Sequence, residues 1–275
     1  MTSYQQNITP VEWRASTLLY CRAMGMVYAV ANQKGGVGKT TTCISLGAAL
    51  VELEKRVLLV DLDPQGGLTT GLGFDPDSFP HTVYDALVNE TPIRRLIVPT
   101  KLPGLELVPA NLDLAGAEGE LLGEIGWDRT LKASLGDIQD DYDFIFLDCP
   151  PNLGVLTINA LMAARRAIVP VQTEYLALRG LKQLFRVIAK VRKKGNPELS
   201  AKILRTMHQS RIVHARETSE ELEAIAKGRI YRTIIPRTVK FAEATAAGES
   251  ILTYLPGSPG ASAYRELAQE VLEDG

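Results

Sequence analysis

Residues 34–40 read Lys-Gly-Gly-Val-Gly-Lys-Thr, and this loop constrains the fold more than any other stretch of the chain. A short apolar run, Val27–Ala31, precedes it, and a run with helical character, Thr41–Leu53, follows. Strand, glycine-rich loop and helix in that order are the setting a phosphate-binding loop requires. Glycines at 35, 36 and 38 allow backbone N–H groups to converge on phosphate oxygens where a Cβ would intrude. The start of the helix adds its partial positive charge. Lys39 is expected to reach the β- and γ-phosphates, and the Thr40 hydroxyl to ligate Mg²⁺. The nucleotide-contacting set is then Gly35, Gly36, Val37, Gly38, Lys39, Thr40 and Thr41. The strict G-x-x-x-x-G-K-[ST] pattern asks for glycine at 33, where Gln33 stands; a second lysine, Lys34, comes just before the glycine pair.

Two further segments carry acids at the ends of apolar runs. Arg56–Val60 reads as a buried parallel strand running into Asp61-Leu62-Asp63-Pro64-Gln65-Gly66. Strand alternation would put Asp61 and Asp63 on the same side, facing a γ-phosphate at the strand's carboxyl end. Tyr142–Leu147 is a second such strand, and its terminal Asp148 is placed to hold Mg²⁺, through water, beside Thr40. Cys149 after it is read as a packed small residue rather than a nucleophile. Between these strands, prolines at 76, 80, 92, 99 and 103 break the chain into short pieces. Thr82–Val88, Asn111–Leu122 and Arg129–Ile138 read as helices, Leu105–Pro109 and Ala167–Val171 as strands, and Ala263–Leu272 as a closing helix.

Charge is unevenly spread. The whole chain carries a net −2, but Arg179–Lys240 holds 16 Lys/Arg against 5 Asp/Glu, a local +11, leaving −13 elsewhere. Within the basic segment Lys182, Arg186, Lys190 and Lys194 recur at i, i+4, opposite apolar Leu181, Leu184, Phe185, Ile188 and Val191. Like charges at that spacing cost a helix a few tenths of a kcal/mol each, so the stripe suggests a polyanionic partner. Three well-separated cysteines, with no C-x-x-C, argue against a disulfide framework or a zinc site and for the cytosol. No apolar run reaches the ~18 residues of a membrane span.

The loop with its early lysine, the D-x-D-P-Q-G at 61–66, the Asp148-Cys149-Pro150-Pro151-Asn152-Leu153-Gly154 run, the Gln172-Thr173-Glu174-Tyr175 run and Tyr231–Arg237 resemble, in order and spacing, the deviant Walker A class of P-loop ATPases typified by ParA and MinD. The resemblance runs from Met24 to Leu272. It implies an α/β fold with a mostly parallel twisted sheet and helices on both faces, with Ile203–Met207 as a further strand. It implies ATP and Mg²⁺ as cofactors. In the family the early lysine reaches a partner subunit's nucleotide, so Lys34 takes that role, and Asp63 takes the role of positioning the attacking water. Asp61 is placed as a supporting carboxylate near the Mg²⁺ shell. Pro236 and Arg237 border the adenine. Three departures stand out: Gly67, Gln209 and Thr238 occupy positions where the family usually has asparagine, an acid and asparagine.

The resemblance further implies a ParA/Soj-type switch for chromosome or plasmid partition. ATP drives a sandwich homodimer, the dimer binds DNA without sequence preference, and a ParB-type partner stimulates slow hydrolysis. DNA-contact candidates are Lys182, Arg186, Lys190, Lys194, Arg211, Arg216, Arg237 and Lys240, and the expected location is the cytoplasm, on the nucleoid. The alternative is a MinD-like or cargo-positioning ATPase acting on a membrane or protein assembly; the acidic C-terminal end argues against stable membrane association. Residues 24–275 are read as one ATPase domain, and residues 1–23 as an extension, either disordered or a start assigned too early.

Overall fold

The computed structural model describes residues 24–172, 178–208, 226 and 228–274, with Leu178 and Arg179 described by backbone alone. Its frame is an eight-stranded sheet among the described residues. The strands are β1 (Met26–Val30), β2 (Val57–Asp61), β3 (Val98–Pro99), β4 (Leu105–Val108), β5 (Phe144–Asp148), β6 (Arg166–Gln172), β7 (Ser200–His208) and β8 (Ile230–Pro236). They lie in the order β3-β4-β2-β5-β1-β6-β7-β8, all parallel except the β3–β4 pair. β1 is central. The chain crosses to β2 on one side of it and later to β6 on the other, so the strand order reverses at β1, where a crevice opens at the carboxyl ends.

The central strands are apolar on both faces because both faces are covered. Val27, Ala29, Leu58, Val60, Ile145 and Leu147 pack into one core. Their neighbours Tyr28, Val30, Val57, Leu59, Phe144 and Phe146 pack into the other. Helices α1 (Lys39–Val51), α8 (Lys240–Ala246), α9 (Ile251–Tyr254) and α10 (Pro259–Glu273) supply the second core. Helices α3 (Val83–Val88), α4 (Leu114–Leu121), α5 (Thr130–Gly136), α6 (Val155–Ala163) and α7 (Leu178–Lys194) supply the first. A short helix, α2 (Gly67–Gly71), follows β2.

Local chemistry sets the ends of these helices. Thr82 caps α3 with a full capping box, its hydroxyl accepting from Tyr84 N while Asp85 accepts from Thr82 N. Ser258 caps α10 and Pro259 opens it, a start signal four residues ahead of the expected Ala263. α4 is shorter than the expected Asn111–Leu122, because Asn111 Oδ1 accepts the Asp113 N–H and holds a turn there. Asn196, just past α7, donates its amide to Leu161 O, Met162 O and Ala164 O, satisfying the carboxyl end of α6.

α10 is held to β8 by Glu270. Its Oε1 accepts from Thr233 N at 2.7 Å and Thr233 Oγ1 at 2.6 Å, and its Oε2 accepts from Arg232 N at 2.8 Å. Burial works to raise this carboxyl's pKa, but the hydrogen bonds and the Arg232 charge outweigh it and hold it below the ordinary 4.5. A depressed carboxyl stabilises the fold above its unfolded pKa, and that contribution is lost as pH falls through the folded value. Glu270→Gln is therefore expected to cost about 2–3 kcal/mol at neutral pH. In urea titrations the difference from the parent should shrink below pH 4.5; a pH-independent difference would contradict the assignment.

Candidate nucleotide site

Loop 34–40 leaves the carboxyl end of central β1 and enters α1. Gly36 and Gly38 take φ of 68° and 91°, backbone that favours glycine. Gly38 is the N-cap of α1 and offers no side-chain cap, so the first-turn N–H groups stay available to an anion. Asn32 braces the loop from below. Its amide donates to Pro170 O at 2.6 Å and its Oδ1 accepts from Lys34 N at 3.0 Å. Thr206, at the end of β7, donates to Val37 O at 2.9 Å from the other side. Lys39 is buried, 7% exposed, with its ammonium resting on the Lys34 carbonyl at 3.4 Å. A buried cation on one long neutral bond is poised for a phosphate.

The magnesium chemistry fits. Thr40 Oγ1 donates to Asp148 Oδ2 at 2.6 Å, while Asp148 Oδ1 is buried and has no hydrogen-bond partner. Burial, then the nearby Asp61 charge, pushes the Asp148 pKa up. Among the described residues no group of three or more His, Cys, Asp or Glu side chains is arranged to hold a metal alone. Mg²⁺ does not ask for one; it uses one or two protein oxygens, waters and phosphate oxygens. Thr40 and Asp148 would hold it, and the ion would neutralise charge on the β- and γ-phosphates.

Asp61 stands beside Asp148 in the sheet register and is also tied into the turn that follows β2. It is fully buried and spends both oxygens inside the protein, Oδ1 on Asp63 N at 3.1 Å and Oδ2 on Thr69 N and Oγ1 at 2.9 and 2.8 Å. Burial lifts its pKa against these bonds. Strand alternation does not place Asp63, because β2 ends at Asp61. Asp63 sits half-buried in the turn beyond, its Oδ1 accepting from Gln65 N at 3.0 Å. Cys149 is fully buried and burial drives its thiol pKa up, which suits a packing residue.

A cavity of about 360 Å³ opens beside Gly38 and Thr41, lined also by Met207, Pro236, Arg237 and Tyr264. That volume falls in the range of small-molecule sites. Met207 takes φ 52°, unusual outside glycine, where the β7–β8 register shifts. Pro236 and Arg237 both line this cavity. Thr206, Met207, Thr69 and the cavity role of Tyr264 escaped sequence reading. Each is an ordinary residue made special by strands or helices far away in sequence.

Lys182, Arg186, Lys190 and Lys194 are all exposed on α7, and Leu181, Leu184, Ile188 and Val191 are buried beneath. Arg237 is exposed on the cavity rim. Lys240 is half-buried and paired to Glu243 at 2.7 Å, which weakens it as a polyanion contact. Arg211 and Arg216 lie outside the described residues. No described helix is long and apolar enough to cross a membrane.

Known proteins carry the same plan. A family model described as an AAA domain matches residues 25–201. The sporulation initiation inhibitor protein Soj of Bacillus subtilis is 44% identical over 253 residues, 92% of this chain and 100% of that protein. The chromosome partitioning protein ParA of Myxococcus xanthus is 43% identical, over 91% of this chain and 89% of its own. A Mycobacterium smegmatis crystal structure titled cobyrinic acid a,c-diamide synthase, with bound ADP and magnesium, superimposes with a TM-score of 0.79 at 44% identity, covering 91% and 95% of the two chains. At such identity over nearly the full length of each sequence, the chain belongs to the ParA/Soj type of the ParA/MinD family of P-loop ATPases, enzymes that hydrolyse ATP with magnesium.

Proposed function

We propose that this ATPase is a partition switch, with residues 24–275 acting as one ATPase domain. ATP draws two copies into a sandwich dimer, the dimer holds DNA through phosphates, and hydrolysis stimulated by a ParB-type partner releases it. Lys39 and the α1 N-terminus hold the phosphates, Thr40 and Asp148 hold Mg²⁺, Asp63 positions the attacking water, and Lys34 reaches the partner's nucleotide. The protein would act in the cytoplasm, on the nucleoid.

The α7 stripe is the observation that carries the DNA half of this reading. Four exposed cations at i, i+4 on a rigidly packed helix match a phosphate backbone better than base edges. One such face binds weakly; joining two in a dimer gains by effective concentration, so ATP controls DNA binding without touching DNA. Arg186→Glu with Lys190→Glu is the test. ATP-dependent retention of random-sequence DNA should be lost at moderate salt, with the dimer intact. The log–log salt slope should become shallower by about 0.9 per phosphate contact removed. Unchanged affinity and slope would remove the stripe from the site.

A membrane-acting reading asks for a free apolar face on the last helix. In α10 that face is spent, because Tyr264, Leu267, Ala268 and Val271 are buried in the core. The name of the similar M. smegmatis protein, cobyrinic acid a,c-diamide synthase, favours a second reading, ATP-driven amidation. Freeing ammonia from glutamine takes a reactive nucleophile, and both described cysteines, Cys43 and Cys149, are buried with their thiols held protonated. Turnover of ATP by the purified protein with no amide donor or acceptor present separates the two.

A further inference from the structure

We infer that Thr69 and Asp61 form a relay that positions Asp63 for hydrolysis, acting on the turn rather than on metal or nucleotide. The inference rests on the reading of Asp63 as the water-positioning residue. Four bonds build it in sequence. Ala110 N donates to Thr69 Oγ1 at 3.1 Å, Thr69 Oγ1 and Thr69 N donate to Asp61 Oδ2 at 2.8 and 2.9 Å, and Asp61 Oδ1 accepts from Asp63 N at 3.1 Å. Every side chain in it is sealed from water, Asp61 and Thr69 both being 0% exposed.

The hydroxyl of Thr69 is the pivot because it works in both directions, accepting from β4's exit and donating to Asp61. The relay ends on the main chain of Asp63, so it fixes where that carboxylate begins. The rest of the turn is pinned locally: Gly66 N donates to Asp63 O at 2.9 Å and Gln65 N to Asp63 Oδ1 at 3.0 Å. Gly66 takes φ 61°, and a Cβ there would meet Pro76 Cγ at 3.0 Å and Ala110 O at 3.2 Å, so the turn is pressed onto the strand exit that feeds the relay. A turn seated this tightly holds one carboxylate position. Loosening it should reduce the rate with little effect on phosphate affinity, which the loop and Lys39 supply.

Thr69→Val keeps the shape and removes both hydrogen-bonding functions; Thr69→Ser keeps both functions and removes a buried methyl. Expected for Thr69→Val is a kcat lower by about 10- to 100-fold with an ATP Kd changed by less than about 3-fold, as a misplacement of about 1 Å from the productive geometry would give. Thr69→Ser should stay within about 3-fold of the parent kcat even where its Tm falls as far as that of Thr69→Val. If kcat tracks Tm across both variants, Thr69 is merely structural and the relay is wrong. If Thr69→Val turns over like the parent while Asp63→Ala is dead, the relay alone fails. If Asp63→Ala itself turns over at the parental rate, the underlying reading fails and takes the relay with it.

Discussion

Asp63→Ala protein should bind ATP as tightly as the parent and hydrolyse it at least about 100-fold more slowly, the scale on which a positioned proton acceptor contributes. The proposed roles separate the two functions. Phosphate affinity would come from the loop N–H groups, from Lys39 and from Mg²⁺ held by Thr40 and Asp148, and no hydrogen bond described for these groups involves Asp63. The Asp63 carboxylate is half-buried at the carboxyl end of the sheet, aimed by the Gln65 N–H and anchored through its own N–H to Asp61. Truncation removes one exposed side-chain bond of the turn, so Tm should barely move. Equilibrium binding of a fluorescent ATP analogue beside steady-state phosphate release checks both halves. Hydrolysis at the parental rate would take the water away from Asp63.

The second large effect concerns Lys34. On the background of Asp63→Ala, ATP should produce a stable dimer, and adding Lys34→Ala should return it to monomer at the same protein concentration. Lys34 precedes the glycines, and its ammonium donates to Gln172 Oε1 at 3.3 Å. A two-fold interface would deliver two lysines to two γ-phosphates. ADP lacks that group, so it should favour the monomer. Sedimentation velocity with ATP and ADP reads this directly; a dimer indifferent to Lys34 would point to a different interface.

Much of the site was legible because its motifs are short and carry their own chemistry. The loop, the acid-ended strands and Asp148 beside Thr40 lie where their residue types demand. The tie from Asp61 to Thr69 was not, because it depends on a residue eight positions on being folded back by α2. The cavity beside Gly38 was only partly visible: Pro236 and Arg237 were singled out in sequence, but Tyr264 arrives from a helix whose apolar spacing says only that it is core. Secondary structure followed the same division. Strands buried on both faces read clearly from their apolar runs. Around α4 the leucine spacing overran the true helix, since Asn111 and Asp113 prefer a side-chain turn.

In the proposed switch, ATP gates a sequence-indifferent grip on DNA. Fluorescence anisotropy of two labelled duplexes of unrelated sequence, titrated with Asp63→Ala protein in ATP and then in ADP, measures that directly. Equal affinity for the two duplexes in ATP, steep weakening with salt, and binding at least about 10-fold weaker in ADP are the predicted result. Affinity that is the same in both nucleotides, or no binding in either, would contradict it.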